Sequence, residues 1–152
     1  MKKLLILVLA LAASTLYAQQ DIVEILRSDL KTQKVEIITE TMDFTEQEST
    51  AFWPLYREYD LELNKLNDIR VSVIKDFAEH YDQMTDGKAD ELVKKSFDYM
   101  KKRNALREKY YNKFKKVLPV MKAAKLMQVE NQLSTFIDAQ ISMEMPLIEV
   151  NQ

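Results

Sequence analysis

Between Thr45 and Met84 the chain keeps one helical period longer than anywhere else. Apolar side chains fall at Phe52, Leu55/Tyr56, Tyr59, Leu63, Leu66, Ile69, Val73, Phe77, Tyr81 and Met84. Steps of three and four place them on one face of an α-helix. The stretch makes about ten turns, roughly 60 Å of helix. It opens Thr45-Glu46-Gln47-Glu48. That is a capping box, in which the Thr hydroxyl takes an amide proton at the helix start and the Glu three residues on reaches back. A helix this long, in a chain of 152 residues, needs a second long element beside it.

The rest of the chain supplies such elements. One Gly, three Pro and 30% charged residues suit an all-helical protein better than strands and tight turns. Residues 21–42 read as a first helix, with Ile22, Ile25/Leu26, Leu30, Ile37/Ile38 and Met42 apolar and a break at Lys31 to Lys34. The long helix occupies 45–84. Pro54 inside it denies an amide to the carbonyl of Thr50. Either the helix kinks there or a short lead-in restarts at Ser49/Thr50. The unbroken phase of Phe52 and Leu55 favours the kink. Thr85-Asp86-Gly87 marks the turn, with Gly87 suited to positive φ. A third helix spans 88–118, with Leu92/Val93, Phe97, Tyr99/Met100, Leu106, Tyr110/Tyr111, Phe114 and Val117/Leu118 apolar. Pro119 ends it and suits the first turn of a fourth helix, 120–141, carrying Leu126, Val129, Leu133, Phe136/Ile137 and Ile141. Residues 143–152 form a tail. The expected fold is all-α: four helices in an elongated antiparallel hairpin arrangement.

The first residues read as a secretory signal and not as part of the fold. Met1-Lys2-Lys3 is basic, Leu4 to Ala13 is apolar throughout, and Ala18 precedes Gln19. Cleavage after Ala18 is expected. The apolar run falls short of a bilayer's thickness. Removing Lys2 and Lys3 takes the bases from 22 to 20 against 24 acids, a net charge of −4. With no Cys in the chain, stability has to come from helix packing. An exported chain of this kind is expected in the periplasm.

Charge is segregated. From Glu36 to Glu62 there are eight acids and one base, Arg57; from Met100 to Lys116 there are eight bases and one acid, Glu108. Antiparallel helices would set these zones side by side, and each sign also complements a helix dipole. The functional reading is that Lys109, Tyr110, Tyr111, Lys113, Phe114, Lys115 and Lys116 bind an anionic partner. Export removes nucleic acid from the choices and leaves unfolded protein or a membrane surface. On the long helix Trp53, Val71 and Ala78 lie off the main stripe and Leu61 opposite it. A second helix, a dimer mate or a client would cover them.

Recognisable chemistry is absent from the pattern. There is no Cys nucleophile, Gly-rich phosphate loop or Ser-His-Asp set. One His, His80 beside Glu79 and Asp82, does not make a metal site. Met143-x-Met145 could hold a soft copper ion, but Met near a helix end usually packs. No enzyme, cofactor, metal, nucleic acid or small-molecule substrate is expected. Two inward charges have a structural reading. Arg103 and Arg107 fall within the apolar face of the third helix, and Glu130 on that of the fourth. Counting back from Pro119 sets Glu130 level with residue 108. An Arg107–Glu130 ion pair follows, since an unpaired buried charge is costly.

The signal segment, the hairpin plan and Phe44-Thr45-Glu46-Gln47-Glu48 resemble the Spy/CpxP family of periplasmic proteins, named for a repeated Leu-Thr-x-x-Gln motif. In the first copy Phe replaces Leu and Glu replaces Gln. In the second, Leu118-Pro119-Val120-Met121-Lys122, only Leu118 matches. The resemblance covers residues 25–141. It implies thin helical dimers that hold unfolded proteins without ATP, and it includes relatives that restrain envelope-stress sensors or bind metals through His or Met clusters. The leading expectation is therefore an ATP-independent holdase for unfolded or stress-exposed envelope proteins, acting as a homodimer. The alternatives are a regulatory module acting on the periplasmic domain of a sensor or another envelope partner, a metal-binding sensor, and a plain scaffold.

Overall fold

The computed structural model describes residues 33–150, and the signal segment, the start of the first helix and the last two residues lie outside that range. All regular structure within it is helical. The chain divides into two compact units, Met1–Asp43 and Phe44–Gln152. In the first unit, residues 33–42 form helix α1. It ends at Asp43, whose φ of 46° lies in the left-handed region that Asp tolerates better than most residues.

The second unit consists of α2 (Glu46–His80), a 3₁₀ turn (Tyr81–Gln83), α3 (Asp86–Phe114) and α4 (Val120–Glu144). The start of α2 is the expected capping box. Thr45 Oγ1 accepts from the Glu48 amide at 3.2 Å, and the Thr45 amide donates to Glu48 Oε2 at 2.9 Å. The helix continues through Pro54 with no second start. At its far end the last residues tighten into the 3₁₀ turn, so α2 closes at His80, earlier than the period alone suggests.

The turn into α3 departs from expectation. Thr85, not Gly87, makes it. Its hydroxyl accepts from the Lys88 amide at 3.2 Å, and the helix starts at Asp86. Gly87 lies in the first helical turn with ordinary negative φ, so a cap residue two positions earlier supersedes its conformational freedom. The other end of α3 also shifts, from 118 to Phe114. Residues 115–118 coil into tight turns in which the Val117 and Leu118 amides both donate to the Phe114 carbonyl. A residue before Pro is disfavoured in the α conformation, and Leu118 lies there. The fourth helix starts at Val120 as expected and runs three residues beyond 141, to Glu144.

Contacts between α2 and α3 run in opposite order along the two helices. Glu58 meets Lys113, Glu62 meets Lys109, Asn67 meets Tyr99, and Asp76 meets Lys95 and Lys88. The two helices are therefore antiparallel. The acidic and basic zones lie side by side along this seam. In α4, Glu130 faces α2, and Asn131 and Asp138 face α3. The core sits where all three helices meet: Phe52, Tyr56 and Tyr59 from α2, Leu106, Tyr110 and Phe114 from α3, and Ala123, Leu126 and Val129 from α4, with Leu118 below them.

Candidate functional site

The three-helix end is sealed by rings. Phe52 packs at a tilt against Phe114 with centroids 5.6 Å apart, Tyr56 lies 5.9 Å from Tyr59, and Tyr59 lies 5.3 Å from Tyr110. Phe44 and Trp53 extend the cluster outward from Phe52 at 4.5 and 5.0 Å. Into this apolar end α4 projects Glu130, only 4% exposed. Its carboxylate accepts the Tyr56 hydroxyl at 2.6 Å and the Tyr59 hydroxyl at 3.2 Å. Burial, and then the Glu130 charge beside them, push both phenols well above their usual range. Tyr110 is raised as well, by burial of its ring and then by the hydrogen bond from its hydroxyl to Glu62 at 2.7 Å.

This geometry reassigns part of the basic-aromatic run. Tyr110 and Phe114 are core residues, not surface ones, because α3 needs them to close against α2. Lys109 pairs with Glu62 at 2.7 Å and Lys113 with Glu58 at 3.4 Å, and both ammonium groups lie over the Tyr110 ring. Tyr111 is half-buried and carries Lys115 over its face at 4.6 Å. Lys115 and Lys116 remain exposed.

The Arg107–Glu130 pair is corrected too. Arg107 donates to Asn131 Oδ1 at 3.3 Å and to the Met127 carbonyl at 3.4 Å. The level is the expected one, but Glu130 stands one residue, about 100° of helix rotation, away from Asn131 and faces the tyrosines of α2. The other inward Arg finds a carboxylate that the pattern did not single out. Arg103 pairs with Asp138 at 3.0 Å, and Arg70 of α2 pairs with the same carboxylate. Both guanidinium groups approach the Tyr99 ring, whose hydroxyl donates to Asn67 at 3.1 Å. Asp138 thus joins all three helices at the point where α4 approaches its end.

Beyond that point no third helix accompanies α2 and α3 past Glu144, and the segment after α4 reaches Tyr81 through the Leu147 carbonyl. From Asp138, α4 runs on for six residues to Glu144, roughly 9 Å, whereas α3 extends 17 residues from Arg103 back to Asp86, roughly 25 Å. On α2 from Val71 to His80 no side chain is fully buried, and Val73, Ile74 and Phe77 are half-covered; on α3 Leu92 and Tyr99 are buried. Ion pairs hold the seam, chiefly Asp76 with Lys88 at 2.6 Å and Lys95 at 3.1 Å. These two ammonium groups, through their hydrogen bonds, hold the Asp76 carboxyl below its usual range.

The open half presents an apolar stripe on α3. Val93, Phe97 and Met100 follow one another at steps of four and three, and Phe97 is 62% exposed. Of the residues singled out on α2, Leu61 is 62% exposed, Ala78 is exposed and Val71 half-buried, while Trp53 is half-buried within the aromatic cluster. Val71 and Ala78 therefore belong to the open half, Leu61 to the solvent side of the three-helix part, between Tyr59 and the Arg70–Asp138 pair, and Trp53 to the sealed end. The sequence carries the signal for the stripe in its doubled apolar positions, Leu92/Val93 and Tyr99/Met100. One member of each pair faces α2 and the other does not. Met143, Leu147 and Val150 add exposed apolar surface, and the Leu147 carbonyl accepts the Tyr81 hydroxyl at 3.0 Å.

Among the described residues no group of three or more His, Cys, Asp or Glu could hold a metal, and no helix is long and apolar enough to cross a membrane. No family model matches the chain, and no curated protein or solved structure matches it.

Proposed function

We propose that this chain is an ATP-independent holdase of the periplasm, a Spy/CpxP-like binding protein and not an enzyme, which shields unfolded or stress-exposed envelope proteins. The observation that carries the reading is the open half of the α2–α3 pair. It combines a stripe of exposed Val93, Phe97 and Met100 with a seam held by charged side chains. Apolar patches of this kind mark interaction surfaces. A surface that is apolar along one line and charged on both sides suits segments of many sequences. Apolar residues of the client meet the stripe, and lysines and acids at its flanks keep the complex in solution. In this reading the mature chain is a homodimer, and the client surface comprises Leu61, Val71 and Ala78 on α2 with the α3 stripe.

The test is aggregation of a reduced or heated client with the mature protein added stoichiometrically and no nucleotide. Delay of aggregation is the expected result. No delay at several-fold excess contradicts the reading. A pull-down from envelope extract adds a second check: many unfolded proteins agree with a holdase, and one stoichiometric folded partner points instead to regulation of a sensor.

A further inference from the structure

The client surface leaves the turn between α3 and α4 unused. Residues 113–125 hold five lysines and no acid. Lys113 and Lys122 are engaged by Glu58 and Glu48. Lys115 and Lys116 stand exposed in the turn itself, and neither pairs with an acid among the described residues. Immediately after them Leu118 folds inward, and Val120 and Met121 open α4 on the outside. Val120 is 58% and Met121 82% exposed. At the start of α2, Glu48 is occupied by Lys122.

Two adjacent exposed apolar side chains beside two lysines that pair with no acid among the described residues suit a soft partner better than a protein. A stable protein interface takes about 800 Å² from each side, far more than a turn with two apolar residues presents. A lipid interface needs no matching shape. It admits a small apolar projection among its headgroups, and its anionic groups attract lysines. We propose that the α3–α4 turn is a docking tip for an anionic lipid surface, in which Val120 and Met121 enter the interface and Lys115 and Lys116 meet the headgroups. The proposal stands independently of the holdase reading.

The chain has no Cys, so a single label reports on the tip. Full-length Met121→Cys, carrying an environment-sensitive fluorophore, is titrated with phosphatidylglycerol-containing vesicles and with pure phosphatidylcholine vesicles. The same label at Ala78→Cys, in the open half, is the control. The expected result is a blue shift at position 121 on anionic vesicles only, reversed by high salt, with no shift at position 78. Adding Lys115→Gln and Lys116→Gln to the labelled protein should weaken the response roughly tenfold or more. The local readout separates the tip from any membrane contact made by residues 1–18. No shift on anionic vesicles, an equal shift on phosphatidylcholine, an equal shift at position 78, or indifference to the two lysines would each overturn the proposal. So would a response to a soluble acidic peptide without one to vesicles.

Discussion

The two ends of the α2–α3 pair are built on different principles. At the Phe44 end a third helix closes the pair, and rings fill the interior: Phe52 and Phe114 are fully buried. At the other end no third helix follows, burial is limited to Leu92 and Tyr99, the segment after α4 touches the pair where the Leu147 carbonyl meets Tyr81, and Asp76 with its two lysines bridges the two helices. The difference follows from one length. Helix α4 passes Asp138 and ends, while α2 and α3 go on. A helix that meets one neighbour buries a narrow stripe, whereas a helix that meets two needs a wide one. The α3 sequence is wide along its whole length, so its second stripe is covered near Tyr110 and exposed at Phe97. Stability is concentrated at one end and available apolar surface at the other.

Breaking the sealed end should cost most. Phe52→Ala or Phe114→Ala removes a fully buried ring, and a loss of about 3–5 kcal/mol is expected in urea unfolding. Tyr56→Phe deletes the shorter of the two phenol hydrogen bonds to Glu130. A hydrogen bond to a buried carboxylate should make this cost about 1.5–3 kcal/mol. Asp138→Asn acts at the junction. It weakens the pairing with Arg70 and Arg103, but the side chains keep partial exposure. About 1 kcal/mol is expected, reduced further in high salt. Phe97→Ser should change stability by no more than about 0.5 kcal/mol and still weaken protection of a client.

Titration sharpens the contrast. Tyr56, Tyr59 and Tyr110 have phenol pKa values raised by the fold. A raised folded pKa contributes stability that is full below the unfolded value of about 10 and is lost as pH rises beyond it. In an absorbance titration these three phenols should therefore ionise only together with unfolding of the sealed end. At the open end the sign reverses. Asp76 and Glu91 are lowered, through hydrogen bonds from Lys88 and Lys95. The stability this contributes is present above the ordinary carboxylate pKa of about 4 and is lost as pH falls below it. Acid should loosen residues 66–91 before residues 104–130, and hydrogen exchange along α2 and α3 reports the order.

Much of this architecture was legible in residue order. Thr45 and Glu48 announce the start of α2, Pro119 fixes the start of α4, and the Phe52, Tyr56, Tyr59 spacing marks a buried face. Arg103 and Arg107 stand inside an apolar face and were bound to need acceptors. Which acceptors they meet was not legible. Asn131 and Glu130 are level with Arg107, and the choice depends on the rotation of α4 about its axis, set by packing on two helices at once. Gly87 looked like the turn because Gly favours turns, but the Thr85 cap acts locally and supersedes it. Tyr110 and Phe114 lie both on the apolar stripe of α3 and within a run of lysines, and that run reads as a binding surface. Lysines at the edge of a core are common, since their long stems lie along apolar rings. Which half of the α3 stripe stays uncovered depends on where α4 stops, and nothing within α3 encodes that.

The central claim is that the open half, not the aromatic end, receives clients. A photoreactive amino acid placed at Phe97, and in a separate protein at Trp53, tests it directly when each is irradiated with an unfolding client and the adducts are compared. The account predicts abundant client adducts from position 97 and few from position 53, whose side chain packs against Phe44, Phe52 and Tyr56. Adducts mainly from position 53, or none from position 97 while aggregation is still suppressed, would contradict it.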